Sequence, residues 1–135
     1  MSNNSLRNVI KINTRLETIR RFQANYPTSA VGGSFGLFLL GYDLKRNLGI
    51  SDIDVVTKFF IPPENEFVKI LTPSGSDFDY AYYDALSKIK VDVKINKEVI
   101  WYVNVTFEGY TYRVYHVMKF SGIKKNMHIE GLKSI

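Results

Sequence analysis

Apolar residues recur at three- and four-residue steps near the start of the chain: Leu6, Val9, Ile12, Leu16, Ile19 and Phe22. That spacing lines one face of an amphipathic helix. Asn4 or Ser5 caps its start, and Tyr26-Pro27 ends it, because a residue ahead of proline is pushed out of the helical region. Beyond it, Ser29 to Val31 reads as a short strand, Gly32-Gly33-Ser34 as a tight turn, and Phe35 to Leu40 as a short apolar helix ending near Gly41. "SDIDVVTKFF", from Ser51, reads as a strand that buries Ile53 and Val55 and stops at Pro62-Pro63. "EFVKILTP" is a strand or a short helix, "SGSD" a turn and "FDYAYYDAL" a strand. "KIKVDVKIN" alternates strictly, with Ile89, Val91, Val93 and Ile95 on one face and Lys90, Asp92 and Lys94 on the other. "VIWYVNVTFEG" and "YTYRVYHVMKF" form a hairpin turning at Glu108-Gly109, and the tail from Ser121 to Ile135 is expected to hold a short helix. The sum predicts one domain over residues 1–135, of α+β class, with a mixed β-sheet and helices packed on one face.

Composition narrows the class. The chain has no cysteine, which excludes disulfides and thiolate metal sites, and only two histidines, His116 and His128. No apolar run approaches the ~18 residues of a membrane span, and "MSNNSLRNVIKIN" has no signal-peptide apolar region. A soluble, cytoplasmic protein with no membrane partner is expected. The net charge is +5 with a pI near 9.4, and the basic residues gather at the two ends around a neutral to acidic centre. Such a balance suits polyanionic partners, nucleotides or RNA, as well as plain solubility.

Two acidic pairs stand out, Asp52/Asp54 and Asp77/Asp79. Side chains at i and i+2 on a strand share a face, so each pair projects together. Adjacent carboxylates repel unless a cation lies between them, and an oxygen-only donor set suits Mg²⁺ or Mn²⁺. Upstream of the first pair, Gly33-Ser34 turns a strand into a helix, where glycine lets a phosphate approach the backbone. No such turn precedes the second pair, so Asp77 reads as a turn residue and Asp79 as a strand start. Asp92 is the candidate third carboxylate, since it lies on the polar face of an otherwise apolar strand. Phosphate cradle, acid pair and third acid together form an arrangement for nucleotidyl or phosphoryl transfer. Lys45 and Arg46 either reach a triphosphate or line a solvated loop. The aromatics at Tyr80–Tyr83 and Trp101-Tyr102 fit sheet packing better than base stacking.

"VGGSFGLFLLGY", then "SDIDVV", then "KVDVKI" resembles the DNA polymerase β-like nucleotidyltransferase superfamily over residues 29–95. The long segment between Ser34 and Asp52, with Lys45-Arg46 ahead of the acids, is similar to the abortive-infection, type IV toxin branch and its phage or mobile-element relatives. The tail resembles that branch too, through Lys119, Lys125, His128 and Glu130. The resemblance implies a minimal nucleotidyltransferase fold and transfer of a nucleoside monophosphate from an NTP to an acceptor hydroxyl, possibly on RNA or a tRNA end. It implies two Mg²⁺ or Mn²⁺ ions on Asp52, Asp54 and Asp92, with Asp92 also placed as general base. Gly33, Ser34, Lys45 and Arg46 would meet the triphosphate and Lys119 the substrate. A helical partner subunit or a second copy would complete the substrate site. The alternative reading is a catalytically silent relative that binds nucleotide or nucleic acid.

Overall fold

A computed structural model describes residues 3–59, 66–116 and 128–135. Helix α1 runs Asn3–Asn25, unbroken by glycine or proline, and is followed by β1 (Ser29–Gly32) and a short helix α2 (Gly33–Leu39). A 3-10 turn at Leu48–Ile50 leads into β2 (Ile53–Thr57). The remaining strands are β3 (Phe67–Ile70), β4 (Tyr80–Asp84), β5 (Lys90–Ile95), β6 (Trp101–Phe107), β7 (Tyr110–Tyr115), β8 (His128–Ile129) and β9 (Lys133–Ser134). All nine join one sheet in the order β3-β4-β5-β2-β1-β7-β6-β8, with β9 also on β6. β1 with β7 and β2 with β5 are parallel, and the other pairings are antiparallel.

The domain is α+β with a mixed sheet, and the described residues hold more strand than the sequence pattern predicts. The segment at residue 66 resolves as a strand, because Phe67 inserts into the core while its backbone pairs with β4. The hairpin turns at Glu108 and Gly109, both in the left-handed region at φ 50° and 84°, as a two-residue turn matching strand twist requires. The helix expected in the tail is not formed over residues 128–135. There the chain runs antiparallel along β6, pairing Ile129 with Val105 and Ser134 with Trp101. The unfilled β6 edge offers backbone partners that an isolated tail helix lacks. Residues 117–127, with Lys119 and Lys125, lie outside the described residues.

One face of the sheet carries the core. Val31, Val55 and Val93 align across β1, β2 and β5, with Ile53 and Val91 one step along. Leu16, Ile19 and Phe22 of α1 and Phe35 and Leu39 of α2 close over them in a single cluster. Full burial of a side chain such as Phe22 is worth roughly 2–3 kcal/mol. The first turns of α1 are different. Leu6 and Val9, predicted to line the buried face, are 50% and 43% exposed, where α1 runs beside the 3-10 turn.

Candidate active site

The opposite face of the sheet is where the acids meet. Gly32 pairs with Asp54, Asp54 with Asp92, and Asp92 with Ala81, so four neighbouring strands contribute one row. The two carboxylates are flanked in the row by the smallest side chains available, glycine and alanine. Asp92 is buried and Asp54 half-buried, while Asp52, just ahead of β2, keeps 53% of its side chain exposed. The structure thus gathers the three predicted acids, although Asp54 and Asp92 are far apart in the chain. The parallel β2–β5 pairing makes this contact.

Each approach to the row is braced. Arg15 on α1 donates from Nε to the Ser51 carbonyl at 2.8 Å, fixing the chain where it enters β2. Asn47 caps the 3-10 turn through the Gly49 N–H at 2.8 Å. Gly33 sits at φ +58°, and a Cβ there would run into the Asp54 carboxylate and lie 3.1 Å from its Cβ. Gly33→Ala should therefore displace Asp54 and cost more than the ~1 kcal/mol of the left-handed conformation alone. Chemical denaturation checks this; unchanged stability would mean that Asp54 moves freely.

Arg46 donates from Nη1 to Ser34 Oγ at 2.8 Å. Two residues proposed for phosphate contact are thereby adjacent, although a helix and a loop separate them in the chain. Lys45 is exposed, and it is Arg46 that reaches Ser34.

The electrostatics are those of a cluster short of positive charge. Burial, then the neighbouring Asp92 and Asp52 carboxylates, push the Asp54 carboxyl up to about 6, against the pull of Arg46 and Lys90. Burial also raises Asp92, opposed by its contact with Lys90. Lys90 was not singled out by its sequence position. Its ammonium lies 3.3 Å from Asp92 Oδ1 and 4.0 Å from Asp52 Oδ2. Among the described residues no group of three or more His, Cys, Asp or Glu is drawn tightly enough to enclose an ion. In donor chemistry the set fits a hard divalent cation, being all carboxylate and carrying excess negative charge.

Of the second acidic pair, Asp79 has structural work, while Asp77 lines a cleft together with Asp54. Asp79 Oδ2 accepts from the Ile95 N–H at 2.7 Å, and Ser76 Oγ accepts from the Phe78 N–H at 3.1 Å in the turn before it. Tyr82 is fully buried and Tyr80 packs against the core. His128 and Glu130 lie beyond the far side of the sheet. Four strand steps, on the order of 19 Å, separate β8 from β2. Glu130 there accepts from Asn104 at 3.0 Å and pairs with Lys133 at 3.6 Å.

Next to the acid row a cleft of about 450 Å³ opens on the same sheet face. Gly33, Asp54, Val56, Asp77, Phe78, Lys94 and Tyr115 are among the residues that line it. Sequence periodicity gives no signal for this pairing, since Phe78 and Tyr115 belong to segments that meet only in the folded sheet.

No protein-family model, curated protein or solved structure matches the chain. No helix among the described residues is long and apolar enough to cross a membrane.

Proposed function

We propose that this chain is a minimal metal-dependent nucleotidyltransferase, moving a nucleoside monophosphate from an NTP to an acceptor hydroxyl with release of pyrophosphate. The observation that carries the reading is the register of Asp54 against Asp92, with Asp52 and the Ser34–Arg46 pair beside it. Two Mg²⁺ or Mn²⁺ ions held by Asp52, Asp54 and Asp92 would neutralise phosphate charge and make the acceptor hydroxyl more acidic. Ser34 and Arg46 hold the β- and γ-phosphates that leave as pyrophosphate. Asp92 takes the hydroxyl proton as the acceptor oxygen bonds to the α-phosphorus and the bond to the leaving oxygen breaks. The cleft between Phe78 and Tyr115 takes a nucleobase, whose flat apolar faces match its walls.

An RNA acceptor is supported by the net charge of +5 and by Lys90 and Lys94 on the reactive face of the sheet. The exposed Leu6, Val9 and Ile10 on α1 would suit a helical partner subunit or a second copy. One observation favours the silent-relative reading: a lysine ammonium already lies among the acids.

Thermal unfolding with each of the four NTPs and Mg²⁺ or Mn²⁺ tests the proposal, comparing wild type with Asp52→Ala. A ligand at a hundredfold excess over Kd stabilises by about 2.7 kcal/mol. A metal-dependent rise for one NTP, lost in the variant, is expected. Phe78→Ala should weaken that NTP's binding roughly tenfold and leave inorganic tripolyphosphate binding unchanged, as titration of both would show.

A further inference from the structure

We propose that Lys90 is the resident counter-ion of the carboxylate cluster, and that a divalent ion enters the place between Asp52 and Asp92 only by displacing its ammonium. This inference rests on the nucleotidyltransferase reading and specifies how its metal site is loaded.

Lys90 opens β5 two residues ahead of Asp92, so both side chains rise from the same face of the same strand. The ammonium contacts Asp92 at 3.3 Å and reaches Asp52 at 4.0 Å, so it bridges acids from two different strand segments. An ion shared by those two acids would need the same volume.

The geometry permits exchange. Lys90 keeps 31% of its side chain exposed and Asp52 keeps 53%. Four rotatable carbons let the ammonium swing to solvent while Asp92 stays fixed in its strand. A strongly hydrated divalent ion must offset both its own dehydration and the loss of the Lys90 contacts. Metal affinity is therefore set low in the protein alone and rises when a bound triphosphate adds its own oxygens.

Mn²⁺ titration followed by electron paramagnetic resonance tests this without nucleotide or turnover. Wild type, Lys90→Met, Lys90→Arg and Asp54→Ala are compared. Lys90→Met should bind Mn²⁺ at least about tenfold more tightly than wild type, because a competing charge within 4 Å is gone. Lys90→Arg keeps the charge and should bind no more tightly than wild type. If Lys90→Met binds equally or more weakly, the lysine is only a structural ion-pair partner and the inference is overturned. If Lys90→Met does not fold, tighter binding by Lys90→Arg than by wild type overturns it equally. Wild-type binding that is lost in Asp54→Ala but indifferent to position 90 removes this inference and leaves the enzyme reading standing. Absence of Mn²⁺ binding in every protein removes both.

Discussion

On the proposed reading Asp54→Asn abolishes nucleotidyl transfer, and it yields a protein more stable than wild type. If Asp54 holds metal as proposed, its loss costs on the order of a thousandfold in rate, about 4 kcal/mol at the transition state. The gain in stability has a separate origin. Burial and the adjacent Asp92 and Asp52 charges raise the Asp54 carboxyl from 3.8 to about 6. Between those values the native protein binds more protons than the unfolded chain, so stability falls as pH rises from about 4 to 6. Above pH 6 the whole penalty is present. After discounting for solvent screening of a half-exposed group it is about 1–2 kcal/mol. Asparagine keeps the shape and removes the charge. The difference in unfolding free energy between variant and wild type should therefore open between pH 4 and 6 in metal-free buffer and stay level above. A variant less stable than wild type at pH 7 would contradict this electrostatic account.

Asp84→Ala will have the opposite profile: a large loss of stability with no direct effect on chemistry. Asp84 ends β4 on the helix-facing side of the sheet and is completely buried. Burial alone would raise its carboxyl. The Arg21 hydrogen bonds, with Ser87 and the Leu86 N–H, outweigh burial and hold it down at about 2. Arg21 Nη1 meets Asp84 Oδ1 at 2.9 Å and Nη2 meets Oδ2, and Thr18 donates at 3.1 Å. Removing one member of a buried pair leaves the other charge uncompensated, at about 3–5 kcal/mol. For a chain of this length that is a drop of roughly 10–20 °C in Tm. The network's contribution is complete above pH 4 and is lost as pH falls through about 2, because the folded carboxyl is depressed. Calorimetry at pH 7 and pH 3 measures both. Transfer activity well below the lowered Tm should match wild type, since Asp84 is not part of the acid row.

Local periodicity made the helix α1, the strands around Asp54 and Asp92, and the 108–109 turn legible, because each is dictated by near neighbours. Asp92 stands out as the third acid through the alternation of its strand and through the resemblance, but its register against Asp54 is not written in either segment. Nothing in either strand states that β2 and β5 are parallel partners. The tail was misread for a related reason: residues 128–135 form strands only because β6 offers an open edge. Lys90 is visible in the alternating pattern as a polar-face residue, but its position between two acids depends on the β2–β5 contact. Arg15, Arg46, Phe78 and Tyr115 reach the site from loops, a helix and a distant strand, and no spacing rule links them.

The most direct test of the central claim follows the label. The protein is incubated with Mn²⁺, each NTP labelled in turn at the α- or the γ-phosphate, and bulk RNA. The account predicts that α-label from one NTP enters the RNA, that γ-label appears as pyrophosphate, and that Asp54→Asn shows neither. Transfer of γ-label to an acceptor, labelling that survives in Asp54→Asn, or no α-label transfer to RNA, protein or small molecules from any NTP would contradict it.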